Sequence, residues 1–157
     1  MNKLQRASLF LLRVSLGVMF FYAGITKVLN PAWSAEGYLK GAKAFDWFYA
    51  WLASGSVLPI INFVNEWGLT LLGVSLMLGI FVRLSSKLGA ILMLLYYLPL
   101  GFPYPNAHAF IVDEHVIYIF ALLVLANFGA GKIWGFGNKC ANLPVCKKFP
   151  RLHSWMG

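Results

Sequence analysis

The chain of 157 residues is 60% hydrophobic and only 11% charged, with a mean hydropathy of +0.71. Soluble proteins carry about 25% charged residues, so this composition excludes an ordinary soluble domain and predicts an all-α integral membrane protein. The formal net charge of +8 does not indicate nucleic-acid binding, because the basic residues are scattered between apolar segments and form no basic patch with base-reading residues.

Four apolar segments predict four membrane crossings, for which roughly 20 residues each are the usual requirement. These spans lie at about residues 7–29, 59–82, 88–102 and 113–129. We therefore predict one domain, residues 1–136, that forms a four-helix transmembrane bundle, followed by a cytoplasmic tail, residues 137–157. The first span is predicted to be retained, because it exceeds the core of a signal peptide and lacks a small-residue cleavage pattern.

The charged residues predict the orientation of the bundle. With the N-terminus in the cytoplasm, the basic residues at the span ends and in the tail fall inside; they are Lys3, Arg6, Arg83, Lys87, Lys132, Lys139, Lys147, Lys148 and Arg151. The five acids then fall in the outer half; they are Glu36, Asp46, Glu66, Asp113 and Glu114. This is the positive-inside pattern, so we predict a multi-pass protein of the cytoplasmic membrane with both termini in the cytoplasm.

The first span carries Arg13, Gly17, Phe20, Gly24 and Lys27 at steps of four, three, four and three, so these residues share one helical face. Cations within a membrane are costly unless they are paired, and glycine lets a neighbouring helix approach closely. We therefore predict that this face lies in the bundle interior. Snorkelling of the two cations to the membrane surface is the alternative.

Asn30-Pro31 ends the first helix, and residues 32–41 are predicted to form an external loop. Residues 44–58 carry aromatic side chains on all sides, and about 15 residues are few for a crossing. We predict an additional helix there that is interfacial or re-entrant. This helix either covers the bundle or serves only as an aromatic membrane anchor.

The second span places Asn62, Glu66 and Thr70 on one face, with Asn65 at its edge. Glu66 lies about two turns inside the outer boundary, where an unpaired carboxylate is costly. We predict that it pairs with Lys27, because both lie in the outer halves of their helices. This ion pair would be either functional or purely structural.

A short cytoplasmic turn, residues 83–87, precedes the third span, whose outer end carries Tyr96 and Tyr97. Tyrosines at this depth either form an aromatic belt or donate hydroxyl groups to a ligand. In the predicted tail, the spacing of Cys140 and Cys146 is neither a redox motif nor a complete metal site, so we predict free thiols and no metal.

The fourth span begins with Asp113-Glu114-His115 and reaches Tyr118 one turn later. Glu114, His115 and Tyr118 fall within an arc of about 100°, whereas Asp113 points elsewhere and suits the N-cap. An acid, a base and a phenol on one face predict proton transfer or ligand binding. The alternative is a helix start whose acids favour the positive end of the helix dipole.

Together these residues resemble the DoxX/DoxD family, small four-helix membrane proteins that include a subunit of thiosulfate:quinone oxidoreductase. The resemblance covers residues 8–136 and rests on four pieces: Arg13 with Phe21-Tyr22-Ala23-Gly24-Ile25-Thr26-Lys27, the turn at residues 76–84, Leu92-Met93-Leu94-Leu95-Tyr96-Tyr97, and Asp113-Glu114-His115-Val116-Ile117-Tyr118. The last piece is the most specific of the four.

The resemblance implies a bacterial or archaeal membrane protein that is linked to quinone chemistry and oxidises a small sulfur anion such as thiosulfate, with quinone as the electron acceptor. The candidate catalytic residues are Glu66, Glu114, His115 and Tyr118, and the candidate substrate-binding or quinone-binding residues are Arg13, Lys27, Asp113, Tyr96 and Tyr97. The predicted partners are the lipid membrane, quinone, and a second copy or a second redox subunit.

Two other functions compete with this interpretation. One is a non-catalytic membrane subunit that anchors or assembles a redox partner, in which the polar residues only join the helices. The other is a small-solute transporter, which four spans without visible inverted repeats disfavour. Fold transfers between relatives more safely than reaction does.

Overall fold

The computed structural model describes residues 1–101 and 110–137, and helices are the only regular secondary structure in these residues. The all-α prediction is therefore confirmed. In chain order the helices are α1 (Lys3–Val28), α2 (Glu36–Lys40), α3 (Asp46–Leu52), α4 (Leu58–Leu78), α5 (Val82–Tyr97) and α6 (Glu114–Asn127), with 3₁₀ turns at Leu98–Leu100 and Ala130–Lys132. The tail cysteines Cys140 and Cys146 lie outside the described residues.

Side-chain caps define the starts of two of the long helices. The Asn2 side chain accepts from the Gln5 amide at 2.8 Å, and the Gln5 side chain accepts from the Asn2 amide at 2.9 Å, which is a capping box at the start of α1. At the start of α6, the Asp113 carboxylate accepts from the Val116 amide at 3.2 Å. The predicted N-cap role of Asp113 is therefore confirmed.

The long helices pack chiefly as two pairs, α1 with α4 and α5 with α6. Glycines bring α1 and α4 nearly into backbone contact, because a methyl group on Gly73 would lie 2.5 Å from the Phe21 Cα and one on Gly24 would lie 2.9 Å from the Glu66 carbonyl oxygen. Gly17 faces Met77, further along α4, so the two helices are antiparallel. The predicted interior face of α1 is confirmed, since Arg13, Leu16, Gly17, Phe20 and Gly24 are its buried residues.

The turn between α4 and α5 differs from the prediction. Gly79 caps α4 in the left-handed conformation at φ 71°, and Phe81 adopts φ 53° directly before α5. The turn therefore closes over three residues, 79–81, because glycine allows the chain to reverse there. The prediction of a turn at residues 83–87 was wrong, and Arg83 and Lys87 lie in the first turns of α5.

Two helices, α1 and α4, are long and apolar enough to cross a membrane, by length and composition. α6 is a shorter apolar helix of 14 residues. We call the end of the bundle at Val28, Leu58, Tyr97 and Glu114 the outer end, and the end at Leu78, Val82 and Asn127 the inner end.

The short helices α2 and α3 cover part of the outer end with a small core of their own around Ala35, Leu39 and Tyr49. The Tyr49 hydroxyl donates to the Leu95 carbonyl at 2.8 Å, and burial raises the pKa of this phenol, so the donor stays protonated. The prediction of a loop at residues 32–41 missed α2. The additional helix predicted at residues 44–58 is only the seven residues of α3, about 10 Å long, which is too short to cross a membrane.

Candidate functional site

A cavity of about 260 Å³ opens at the outer end of the bundle. We call it the outer pocket. Every long helix contributes one side chain to it, and the segment after α1 supplies more; the residues used below are Lys27, Trp33, Tyr38, Asn65, Tyr96 and His115. Three of the predicted site residues, Lys27, Tyr96 and His115, are therefore brought together from α1, α5 and α6.

His115 is held in place by a carboxylate. Its Nδ1 atom lies 2.6 Å from Oδ2 of Asp113, whose side chain is 6% exposed and whose other oxygen caps α6. A carboxylate can only accept, so Nδ1 carries the proton in this contact, and Nε2 is the ring nitrogen left for a ligand. Asp113 was predicted to bind the ligand, but its oxygens are used within the protein, so it positions His115.

Lys27 contributes a cation to the outer pocket. Its Nζ donates to the Ala23 carbonyl at 2.9 Å and lies 5.3 Å from the centre of the Trp33 ring, a cation–π contact. Within the described residues it forms no ion pair with Glu66, so the predicted pair was wrong. The reason is angular: Asn65 faces the cavity from α4, and the next residue, Glu66, is turned about 100° away around the helix.

A hydrogen-bond network joins the helices around the cavity. The Tyr96 hydroxyl donates to Oδ1 of Asn65, which is 6% exposed, and the Asn65 amide donates to the Ile61 carbonyl at 2.8 Å. The Tyr38 hydroxyl donates to the Tyr96 carbonyl. The Tyr96 ring also stands edge-on to His115, with 6.1 Å between ring centres. Tyr96 therefore links α2, α4 and α6 at the cavity wall.

Glu114, His115 and Tyr118 do not all line the outer pocket. Glu114 is exposed, and Tyr118 packs edge-on against Phe20 with 6.2 Å between ring centres, beside the apolar core that the four long helices form. Only His115 lines the outer pocket, because its contact with Asp113 turns the ring inward. Glu114, Tyr118 and Glu66 therefore lie outside the cavity wall.

Two further predicted site residues, Tyr97 and Arg13, also lie outside the outer pocket. The Tyr97 hydroxyl donates to the Ile111 carbonyl at 2.7 Å and so fastens the chain before α6 to the end of α5. Arg13 is fully buried beside Gly79 and Gly135 at the inner end. Fourteen residues of helix, about 21 Å, separate it from Lys27, so it cannot share a ligand with the outer pocket.

Sequence reasoning missed Trp33, Tyr38 and the role of Asn65. The first two follow α1 in a segment without helical periodicity, so nothing in the pattern orients them. One signal was present: Asn62 faces this segment, and its Oδ1 accepts from the Ala35 amide at 3.0 Å, which holds the segment against α4. A polar side chain near the outer end of a predicted span indicates such a clamp.

The DoxX family model matches residues 8–102, more than half of the chain. The chain belongs to the DoxX family. The DoxX match runs from α1 to α5 and includes Lys27, Asn65 and Tyr96, whereas Asp113 and His115 lie beyond it. No curated protein and no solved structure matches the chain. Membership of this membrane-associated family, together with the two long apolar helices, identifies a membrane-associated protein.

The outer pocket combines two chemical functions. The Lys27 ammonium group is a donor and a positive charge that suits an anion or a partly negative oxygen. The His115 imidazole is a proton donor or acceptor at Nε2, and the contact with Asp113 fixes its tautomer. A cation and a proton donor at one small cavity suit a ligand that gains negative charge and then protons.

Proposed function

We propose that this DoxX protein binds a quinone in the outer pocket and serves the oxidation of a small sulfur anion, such as thiosulfate, at the outer face of the cytoplasmic membrane. One observation carries the proposal: Lys27, which has no carboxylate partner among the described residues, and the Asp113–His115 pair reach the same cavity. Membership of the DoxX family supports a membrane location and a link to redox metabolism.

We further propose that α1, α4, α5 and α6 all cross the membrane. α5 is about 24 Å long, and the 3₁₀ turn that continues it adds about 6 Å. Together they match the roughly 30 Å thickness of a bilayer core. α6 alone measures about 21 Å. The basic residues at the inner end, such as Arg83 and Lys87, support cytoplasmic termini.

The dimensions of the cavities support a ring with a long apolar tail. The outer pocket, about 260 Å³, is slightly smaller than the about 300–1,000 Å³ of pockets that enclose drug-sized ligands, so it suits one ring or one small anion. An apolar groove of about 640 Å³ runs between α4 and α5 and begins at Val64 and Leu95. These residues precede Asn65 and Tyr96 by one position on α4 and α5, so the groove reaches the same height along the bundle as the pocket, and its apolar lining suits an isoprenoid tail.

A bound quinone would take up two electrons from the sulfur anion and two protons, becoming a quinol. Lys27 would donate to a ligand oxygen and favour negative charge on it. His115 would hold a proton on Nδ1 against Asp113 and exchange another at Nε2. Tyr96 would fix the position of the histidine ring from the side.

Lys27→Met and His115→Gln test this proposal in protein reconstituted in lipid, assayed for quinone binding and for quinone reduction with thiosulfate as the first donor. We expect turnover to fall by about 10²–10⁴ for His115→Gln, and quinone binding to weaken for Lys27→Met. Glu114→Gln is the control, because Glu114 is exposed and outside the cavity wall. Unchanged binding and turnover in both variants would instead favour a non-catalytic membrane subunit.

A further inference from the structure

Arg13 is the least expected feature of the inner end. Its side chain is fully buried, and Nε, Nη1 and Nη2 all lack a hydrogen-bond partner among the residues that the structure describes. Within the described residues its guanidinium group makes a cation–π contact with Phe10, whose ring centre lies 5.4 Å from Cζ. A guanidinium group has five donors and cannot lose its charge in a protein, so this burial is costly unless a partner arrives from elsewhere.

No carboxylate side chain of this protein can supply that partner. The five acids of the whole sequence are Glu36, Asp46, Glu66, Asp113 and Glu114, and each lies in the outer half of the bundle or in α2 and α3. Glu66 is the acid closest to Gly79 along α4, and 13 residues of helix separate the two, about 20 Å. None of these five side chains therefore neutralises Arg13.

The space around the guanidinium is kept clear by glycines. A methyl group on Gly79 would lie 2.9 Å from Cζ of Arg13 and would overlap Nη1. A methyl group on Gly135 would also overlap Nη1, and it would lie 3.0 Å from the Gly79 Cα. Neither position tolerates a side chain while Arg13 stays in place, so the two glycines form a cradle for the guanidinium group.

The cradle is covered by the chain that follows α6. Residues 129–137, which we call the inner strap, are fastened to α4 by two backbone hydrogen bonds, from Phe136 to the Leu78 carbonyl at 3.1 Å and from Gly137 to the Gly79 carbonyl at 3.0 Å. Trp134 in the strap adopts the left-handed conformation at φ 50°, which is unfavourable for a residue with a side chain. The two bonds hold Gly135 against Gly79 and the guanidinium group.

We infer that Arg13 is an oxyanion-binding residue at the inner end, with a phosphate group as its ligand and the inner strap as its cover. The planar fork of a guanidinium group matches the oxygens of phosphate, and the neighbouring basic residues Arg83 and Lys132 favour an anion over a cation. Gly79 marks the inner end of α4, so the site lies where the headgroups of the proposed membrane would be. The phosphate can thus belong to a phospholipid or be free in solution.

The test uses protein in a phosphate-free maltoside detergent and compares wild type with Arg13→Met and Gly135→Ala. Gly135→Ala keeps the charge but forces the guanidinium or the strap backbone to shift, because its methyl group would overlap both Nη1 and the Gly131 carbonyl oxygen, so it remains informative if Arg13→Met does not fold. The controls are Arg6→Met, which removes an exposed cation of the same helix, and Gly37→Ala, where a methyl group meets nothing within 4 Å.

Native mass spectrometry with added phosphatidylglycerol measures the lipid arm, and the shift of the melting temperature with inorganic phosphate measures the free-anion arm. We expect the wild type and both controls to bind at least about tenfold more tightly than the two variants in one arm, which also identifies the source of the phosphate. Equal binding by all five proteins in both arms would overturn the inference. So would a dimer that dissociates on Arg13→Met without responding to either anion, because the partner would then be a protein carboxylate.

Discussion

Nδ1 of His115 lies 2.6 Å from Oδ2 of Asp113, and the same carboxylate caps α6 through its other oxygen. One buried side chain therefore both starts the helix and orients the imidazole in the outer pocket. These two roles depend on different properties of the carboxylate. Capping needs an oxygen that accepts a hydrogen bond, whereas stabilising a proton on the imidazole needs the negative charge.

Substitutions of Asp113 separate the two roles. Asn caps a helix about as well as Asp, so Asp113→Asn should change the free energy of unfolding little, whereas Asp113→Ala should lose about 0.5–2 kcal/mol. Both variants should lose quinone reduction, because neither retains the charge opposite His115. Thermal melting and turnover are measured together. Full turnover in Asp113→Asn would show that the charge is not needed.

The sequence predicted the parts of this fold that depend on local chemistry and helical periodicity. The N-cap at Asp113 and the interior face of α1 around Gly17 and Gly24 follow from residue type and spacing, and both are present in the structure. Helical periodicity places side chains on faces of one helix. It does not give the rotation of one helix against another, which is why Asn65 was placed only at an edge and Glu66 was expected to meet Lys27.

The outer pocket also depends on residues with no periodic signal. Trp33 and Tyr38 reach the cavity because Asn62 and the small core around Tyr49 hold the segment after α1 against the bundle. The hydrogen bond from Ala35 to Asn62, for example, joins residues 27 positions apart in sequence. Only the packed structure brings them together.

The proposed membrane orientation predicts which cysteines react from outside. Gly37→Cys in α2 should be labelled by a membrane-impermeant maleimide in intact cells, whereas Lys87→Cys in α5 should be labelled only after lysis. Both substitutions are made after Cys140 and Cys146 have been replaced by serine, and both positions are exposed, so access depends on the membrane alone. Labelling of Lys87→Cys in intact cells would contradict cytoplasmic termini.

The contact between α1 and α4 predicts opposite effects at two glycines of one helix. Gly73→Ala would force a methyl group to within 2.5 Å of the Phe21 Cα, so we expect a loss of about 1–3 kcal/mol or more from overpacking. Gly68→Ala meets its nearest atom, in Val64, at 3.9 Å, so it should be neutral or stabilise α4 by up to about 1 kcal/mol. The melting temperatures of the two variants in one detergent measure these effects. Equal effects would show that the helices are not this close.

The absence of an ion pair between Lys27 and Glu66 predicts additive substitutions. Lys27→Met and Glu66→Gln should combine to within about 0.3–0.5 kcal/mol of the sum of their separate effects on stability. A buried ion pair would behave differently, because removal of one partner would cost about 3–5 kcal/mol and removal of both would cost less than the sum. A double-mutant cycle by thermal melting measures the coupling energy between the two positions. A coupling above about 1 kcal/mol would show that Lys27 and Glu66 do form an ion pair.

The hydrogen bond from Tyr96 to Asn65 predicts a difference between two neighbouring tyrosines. Tyr96→Phe leaves Oδ1 of Asn65 buried without its donor, and an unsatisfied buried acceptor costs about 1–3 kcal/mol. Tyr97→Phe loses only an exposed bond to the Ile111 carbonyl, which water can replace, so it should cost less than about 1 kcal/mol.

A second substitution distinguishes this unsatisfied acceptor from a simple loss of packing. Asn65→Leu removes the acceptor, so adding Tyr96→Phe to Asn65→Leu should lower the free energy of unfolding only a little. We expect a coupling energy of about 0.5–3 kcal/mol between the two positions. Phenylalanine keeps the ring that stands edge-on to His115, so quinone binding by Tyr96→Phe should weaken less than binding by His115→Gln. Melting temperatures and binding titrations are measured on the same preparations. If Tyr96→Phe lowers the free energy of unfolding equally in the wild type and in Asn65→Leu, the hydroxyl makes no stabilising hydrogen bond to Asn65. Packing alone would then hold the cavity wall together.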